Sequence, residues 1–275
     1  MTRWWRKLIE VVTLPRVTID LMYGATRGNA EFYRRIVREF HEDTTRRHPK
    51  YPWLRKWQYG VALCVLPKSP EEYLMLVEGS ARRNLKKSQR RGYVFKRITF
   101  NDFLKEIGGI RGSAAVRQGH MPAELIHGEL RPCSDPVSLT RVHDYPYFGI
   151  LKDGRLVAYA GCLVSGELCM IEQLYGHAAH QDEGIVPALI LGMGGYILEH
   201  YPAVRYYGYG TYYGASHTMR RFKRKFRFLP HRVKWVLDGD AARQSAGTGE
   251  FRQLVYRRAL ENAIQPEAPP GCQFV

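Results

Sequence analysis

The stretch from Tyr145 to Gly176, YPYFGILKDGRLVAYAGCLVSGELCMIEQLYG, decides how the rest of the chain is read. YPYFGIL and LVAYAGCLV are apolar runs of strand length, and turn residues bound them. Between them stands Asp153-Gly154, a pair that two-residue hairpin loops favour because both central positions need positive φ. Ser165-Gly166-Glu167 turns the chain again, into LCMIEQLYG. The reading is a three-stranded antiparallel meander. Alternation along its third strand puts Glu172 on the face of Met170 and Leu174, with Ile171 and Gln173 opposite. A carboxylate among apolar neighbours either has a raised pKa or pairs with one of the many arginines; the pattern leaves both open.

Downstream, the loop HAAHQDEG leads into a helix with apolar positions Val186, Leu189, Ile190, Met193 and Ile197. VRYYGYG then reads as a strand, SHTMRRFKRKF as a short helix and HRVKWVL as a strand. From residue 145 the order is therefore β-β-β-α-β-α-β. Upstream, GVALCVL (60–66) is a buried strand. Ser69-Pro70-Glu71-Glu72 opens a helix with a Ser cap, Pro at the first position and Glu three residues after the cap. Leu74, Val77, Ala81, Leu85 and Ser88 recur at three- and four-residue steps, which predicts one helix running to Gly92. YVFKRI is the next strand, and NDFLKEIGGI starts another helix. Three regions follow: a basic helical extension over 1–58, a central domain over 59–238, and a linker, helix and Pro-rich tail over 239–275.

The chain has 275 residues, with 42 Lys and Arg against 26 Asp and Glu, for a formal net charge of +16. Such a balance favours polyanionic partners: nucleic acid, an anionic lipid surface or phosphorylated substrates. The five cysteines are odd in number and lack CxxC spacing, which fits reduced thiols in a cytoplasmic protein, and no His/Cys cluster has zinc-ligand spacing. The apolar run near the start is short, broken by Glu10 and without a small-residue cleavage site, so it does not read as a leader peptide. The spacing of Trp4, Trp5, Leu8, Val11 and Val12 predicts one apolar side of a short helix flanked by Arg3, Arg6 and Lys7. That helix packs on the body of the protein or lies on the inner face of a membrane.

Three segments together resemble a known family. They are the basic helix and strand ARRNLKKSQRRGYVFKRI, the hairpin strand DGRLVAYAGCLV with a later helix opening near Pro187, and the ending YYGYGTYYG…MRRFKRKFRF. Over about residues 60–237 the chain resembles the GNAT-like N-acyltransferases, and among them the Fem family of aminoacyl-tRNA-dependent transferases with its single-domain relatives. The resemblance implies an α+β fold, with a mixed, mostly antiparallel central sheet flanked by helices and, here, helical extensions at both ends. It implies transfer of an amino acid from charged tRNA to an amine of a small-molecule, peptide or cell-envelope acceptor. Aminoacyl-tRNA would be the co-substrate, with no permanently bound cofactor.

The resemblance also places Lys223, of the pair Phe222-Lys223, near the scissile ester. A cation there neutralises the developing oxyanion or the leaving ribose oxygen, with Phe222 packed beside it. Glu172 falls where such folds place a base or polar group, and Tyr212 is a candidate proton donor. Tyr209 and Arg117 are candidate contacts for the acceptor. The runs Arg82, Arg83, Lys86, Lys87, Arg90 and Arg220, Arg221, Arg224, Lys225 suit a phosphate backbone, and Lys223 itself reads equally as one more phosphate contact. Two other functions stay open. Gln181 and Gly184 keep part of the loop with which related enzymes hold the pyrophosphate of acyl-CoA, although Asp182 and Glu183 would repel it. The third reading is a non-catalytic basic module that binds RNA or membrane.

Overall fold

The structure is a computed structural model and describes residues 13–49, 51–114, 123, 126 and 128–239. The N-terminal aromatic segment, Arg117 and the C-terminal helix expected near 250–264 lie outside these residues. In chain order the elements are β1 (Arg16–Asp20), α1 (Glu31–Thr45), β2 (Tyr59–Val65), α2 (Pro70–Leu76), α3 (Gly79–Arg90), β3 (Tyr93–Ile98), α4 (Leu104–Gly112) and β4 (His143–Asp144). They continue as β5 (Tyr147–Lys152), β6 (Arg155–Ser165), β7 (Leu168–Gly176), α5 (Ile185–His200), β8 (Tyr206–Thr211), α6 (His217–Lys225) and β9 (Leu229–Val236).

All the described strands join one sheet, in the order β1-β9-β2-β8-β7-β6-β5-β3, with β4 paired to the end of β6. Only β1–β9 and β7–β8 run parallel, so the sheet is mixed and mostly antiparallel, as expected. The meander follows its turn chemistry. Asp153 and Gly154 take φ of 50° and 78°, which closes β5 onto β6. Beyond β7, helix α5 carries the chain over one face before β8 returns parallel to β7.

Both faces of the sheet are covered, which is why β6 is buried at every position after Arg155. Alternate residues of β2 divide between the two sides. Ala62 and Cys64 join the core beneath α5, with Ile185, Leu189, Ile190, Met193 and Tyr73. Val61 and Leu63 join the opposite core, with Val37 and Phe40 of α1 and Trp235 of β9. A third, smaller cluster packs α4 through Ile107 and Ile110 against Tyr147 and Tyr159.

Two expectations need correction. Residues 16–20, placed in a helical extension, form strand β1, which pairs parallel with β9 at the edge of the sheet. The single helix expected from Pro70 to Gly92 is two helices. Ser69 caps α2, its Oγ accepting from Glu72 N at 3.2 Å. The chain then turns extended at Val77, with ψ of 156°. That break frees the Glu78 N–H to donate to the Lys225 carbonyl at the end of α6, at 2.9 Å. The apolar three-four stripe survives the break because Leu74, Val77, Ala81 and Leu85 still pack on one core.

A buried polar cluster ties β4 to its surroundings. Asp144 accepts from Tyr201 at 2.6 Å and from Arg97 at 3.0 Å. Burial beside this carboxylate holds the Tyr201 hydroxyl well above its ordinary range. Arg97 is therefore a structural partner and not part of the free basic surface.

Candidate active site

Helix α6 begins at Ser216, whose Oγ accepts from Met219 N at 3.2 Å. Met219, Lys223 and Phe226 then follow at helical spacing and form its buried side. Lys223 thus occupies a position that the amphipathic pattern reserves for an apolar residue. Of the six cations between Met219 and Phe228 it alone is buried, with 5% of its surface exposed. The other five stand on the exposed or half-exposed sides of the helix and its end.

The Lys223 ammonium has defined partners. Its Nζ donates to the Tyr209 carbonyl at 2.6 Å and to the Thr211 carbonyl at 2.7 Å, and it lies 4.7 Å from the centre of the Tyr209 ring. In a regular strand, carbonyls two residues apart lie about 7 Å from each other, too far to share one nitrogen. Gly210, between them, has φ of +57° and curls the end of β8 so that both converge. Loss of hydration on burial lowers the Lys223 pKa from 10.5 to about 8.

The surrounding cleft comes from the sheet. β7 and β8 pair only through Leu168↔Tyr206, Cys169↔Tyr207 and Met170↔Gly208. Past these residues β8 follows β2, whereas β7 stays with β6 as far as Gly176. The two strands therefore part, with Glu172 just beyond the junction on one side and the carbonyls that hold Lys223 just beyond it on the other.

Glu172 does not sit as alternation predicts. In the β6–β7 ladder Gly161 faces Gln173 and Cys162 faces Ile171, which leaves Glu172 as the extra residue of a bulge. Met170 and Leu174 consequently pack into opposite cores. Glu172 pairs with no arginine among the described residues. Its Oε2 accepts from the Tyr145 hydroxyl at 2.8 Å. Surrounding protein raises the carboxyl pKa and the Tyr145 bond opposes the rise; the carboxylate remains open to solvent, which keeps the effect modest. Tyr145 has no counterpart in the sequence reading, because only the bulge brings it to Glu172.

The remaining candidates separate by their contacts. Phe222 is half-buried, its ring 5.0 Å from that of Phe226. Tyr212 lies in the main core, and its backbone N–H donates to Gly60. Arg82 caps α2, with Nη1 at 3.0–3.2 Å from the carbonyls of Leu74, Met75 and Val77. Lys87 donates to the Asp182 carbonyl at 2.6 Å and lies 3.6 Å from Glu183. These two are taken up inside the molecule. Arg83, Lys86 and Arg90 are exposed along one face of α3 and, with Gln89, surround a surface depression of about 370 Å³. Arg220 is half-buried, whereas Arg221 and Arg224 are exposed.

The Gln181–Gly184 loop is closed against α3. Gly184 has φ of +74°, and a Cβ on it would lie 2.6 Å from the Asn84 carbonyl oxygen. Glu183 lies beside Lys87 and Arg91, the latter at 3.4 Å. Pro187, in the first turn of α5, offers no N–H. Basic side chains and a carboxylate thus occupy the helix start, where a pyrophosphate would need bare backbone donors.

No group of His, Cys, Asp and Glu suited to a metal ion occurs among the described residues. No helix among them is long and apolar enough to cross a membrane.

No family model and no curated protein matches the sequence. Solved structures do. One titled FemX has 12% identity and a TM-score of 0.49, covering 62% of this chain and 59% of that one. The C-terminal domain of a lysylphosphatidylglycerol synthetase from Agrobacterium fabrum has 15% identity and a TM-score of 0.42, covering 63% and 58%. L-PGS from Bacillus licheniformis has 13% identity and a TM-score of 0.41, covering 74% and 65%. The chain thus spans less than two thirds of the length of each. Such likenesses concern the fold and carry nothing about the chemistry of the cleft.

Proposed function

We propose that this chain is an aminoacyltransferase that moves an amino acid from charged tRNA to the amine of a small-molecule, peptide or cell-envelope acceptor. The observation that carries the reading is Lys223: a buried cation, fixed by two backbone carbonyls, where β7 and β8 part.

The chemistry follows from that placement. An amine attacks the ester carbonyl that joins the amino acid to the terminal ribose of the tRNA. Negative charge builds on the carbonyl oxygen, and the C–O bond to the ribose then breaks. Two of the three ammonium hydrogens of Lys223 are used by carbonyls. The third serves the oxyanion or the leaving ribose oxygen. A pKa of about 8 keeps Lys223 charged at neutral pH and makes it a readier proton donor than an exposed lysine. Glu172, held by Tyr145, takes the proton from the attacking amine.

Arg83, Lys86 and Arg90 supply a stripe for the tRNA backbone, joined by the exposed cations of α6. The closed Gln181–Gly184 loop favours this donor over acyl-CoA. Incubation with charged tRNA pools and candidate amines tests the reading, with transfer expected to stop after ribonuclease treatment. Absence of RNase-sensitive transfer for every amino acid, with transfer from acyl-CoA instead, would reject it. Tight RNA binding without any turnover would leave the non-catalytic module.

A further inference from the structure

A second surface stands apart from the Lys223 cleft, in the connection between α1 and β2. Residues 46–56 read RRHPKYPWLRK, with five Lys or Arg and no acid. Counting Glu42 and Asp43 just before it, cations still exceed acids by five to two. Asp43 is already engaged, by Arg46 at 3.2 Å and by Lys56.

Backbone bonds give this connection a defined shape. Its stem is closed by the Lys56 N–H, which donates to the Arg46 carbonyl at 2.9 Å, and by a bridge between Arg47 and Arg55. Nearer the tip the His48 N–H donates to the Leu54 carbonyl, and the Leu54 N–H to the Tyr51 carbonyl, each at 2.9 Å. The tip is apolar and uncovered. Pro49 and Pro52 are exposed, and Tyr51 and Trp53 keep 49% and 77% of their surface open. The two rings lie 5.7 Å apart and inclined at 58°, with the His48 ring 5.3 Å from that of Tyr51. The next aromatic along the chain is treated differently: Trp57 packs on Phe40 in the core under α1, with Trp235. Rings as large as those of Tyr51 and Trp53 gain much from burial, so a tip that holds both of them out calls for a partner with an apolar layer.

We propose that this loop docks the protein on an anionic lipid surface, with Tyr51 and Trp53 at the level of the headgroups and Arg47 and Arg55 against the lipid phosphates. Tyr and Trp suit that depth because each has an apolar body and a polar tip. Both arginines are exposed, and such side chains lay their stems along apolar surface while the heads stay with the phosphates. Arg55 gives one N–H to the Thr45 carbonyl at 3.2 Å, and its guanidinium carries others. RNA is the other polyanion with a use for cations and rings, but the tilt of Tyr51 against Trp53 leaves no slot for a base between them. The loop enters the sheet at the start of β2, where Val61 pairs with Thr211, whose carbonyl holds Lys223. Docking therefore brings the cleft end of β2 toward the lipid. The proposal does not depend on the transfer reaction, because its test reads binding alone.

The experiment is co-sedimentation of the full chain with phosphatidylcholine vesicles, with and without phosphatidylglycerol. Binding is expected to require phosphatidylglycerol and to weaken as salt is raised. Y51S/W53S is expected to weaken it about tenfold or more, the loss expected when two large rings no longer leave water. Both residues are exposed, so the urea midpoint should not change. A parallel variant, W4S/W5S, reads the N-terminal aromatic segment; weakening by both pairs still supports the loop. Quenching of tryptophan emission by brominated acyl chains should be smaller in Trp53→Phe, which keeps an aromatic ring, than in the parent. Absence of binding to the anionic vesicles, loss through W4S/W5S alone, or equal quenching in Trp53→Phe and the parent would overturn the proposal. So would a Y51S/W53S protein that binds vesicles as the parent does but holds tRNA less tightly, which would assign the loop to RNA.

Discussion

Burying Lys223 has a consequence for stability that is measurable without any substrate. Its pKa of about 8 in the folded chain lies below the 10.5 of an unperturbed lysine. Between these values the unfolded chain holds a proton that the folded chain has released. Stability therefore rises with pH across this window; the cost of burying the charge is present in full below pH 8 and absent above 10.5. At about 1.36 kcal/mol for each pH unit of separation, the ceiling is about 3 kcal/mol. Between pH 7 and 9.5 the lysine alone accounts for about 1–2 kcal/mol of added stability. Lys223→Met keeps the length and packing, removes the charge, and leaves the Tyr209 and Thr211 carbonyls without their donor. Their loss costs about 1–3 kcal/mol, against a similar gain from no longer burying an ammonium, so the variant should be close to the parent in stability at pH 7. Urea unfolding of both proteins at pH 7 and 9.5 reads the effect, because comparison with the variant cancels the tyrosines and cysteines that titrate in the same range. The parent should gain about 1–2 kcal/mol relative to Lys223→Met. Parallel pH dependence of the two proteins would refute the idea that a buried charge is held there.

Four other variants probe particular contacts. Gly184→Ala places a methyl group against the Asn84 carbonyl at a residue with φ of +74°, and should lower stability by about 1–3 kcal/mol in urea unfolding. Arg82→Ala should destabilise by a similar amount, about 1–3 kcal/mol, without changing tRNA affinity, because Arg82 is engaged with the end of α2. Arg83→Ala with Arg90→Ala should leave stability alone, weaken tRNA binding, and reduce its dependence on salt by about 1–2 in logarithmic slope. Tyr145→Phe removes the hydrogen bond that opposes the raised pKa of Glu172, so the acidic limb of the pH–rate profile should move to higher pH. An unmoved limb would separate Glu172 from proton transfer.

The parts of the fold that were legible in sequence are those fixed by local chemistry. Asp153-Gly154 sets its hairpin through positive φ, and Ser69 caps its helix through one side-chain bond. What was not legible depends on partners far along the chain. RVTID becomes a strand because β9 is there to receive it, and nothing in those five residues announces a parallel partner. The helix break at Val77 is stabilised by a bond to Lys225, and a helical stripe is silent about such a bond. Glu172 kept its place near the cleft but lost its expected register, since a bulge is a property of two strands. The cluster of Arg97, Asp144 and Tyr201 likewise joins residues far apart in the chain. Lys223 is the instructive case. The family resemblance pointed to it, yet its spacing from Met219 and Phe226 was an independent signal, marking one cation of six on the inward side of α6.

That distinction within one charged run is the central claim, and single-turnover transfer from charged tRNA measures it most directly. With tRNA saturating, Lys223→Met should slow transfer by about 10²–10³, the cost of losing one donor to a developing oxyanion. Arg224→Met should slow it by no more than about threefold, since an exposed cation contributes to binding and not to the chemical step. In the parent, the rate should fall as pH rises through about 8, where Lys223 loses its charge. Equal losses in the two variants, or a parent rate that climbs through pH 8, would contradict the assignment of Lys223 as the cation that acts on the ester.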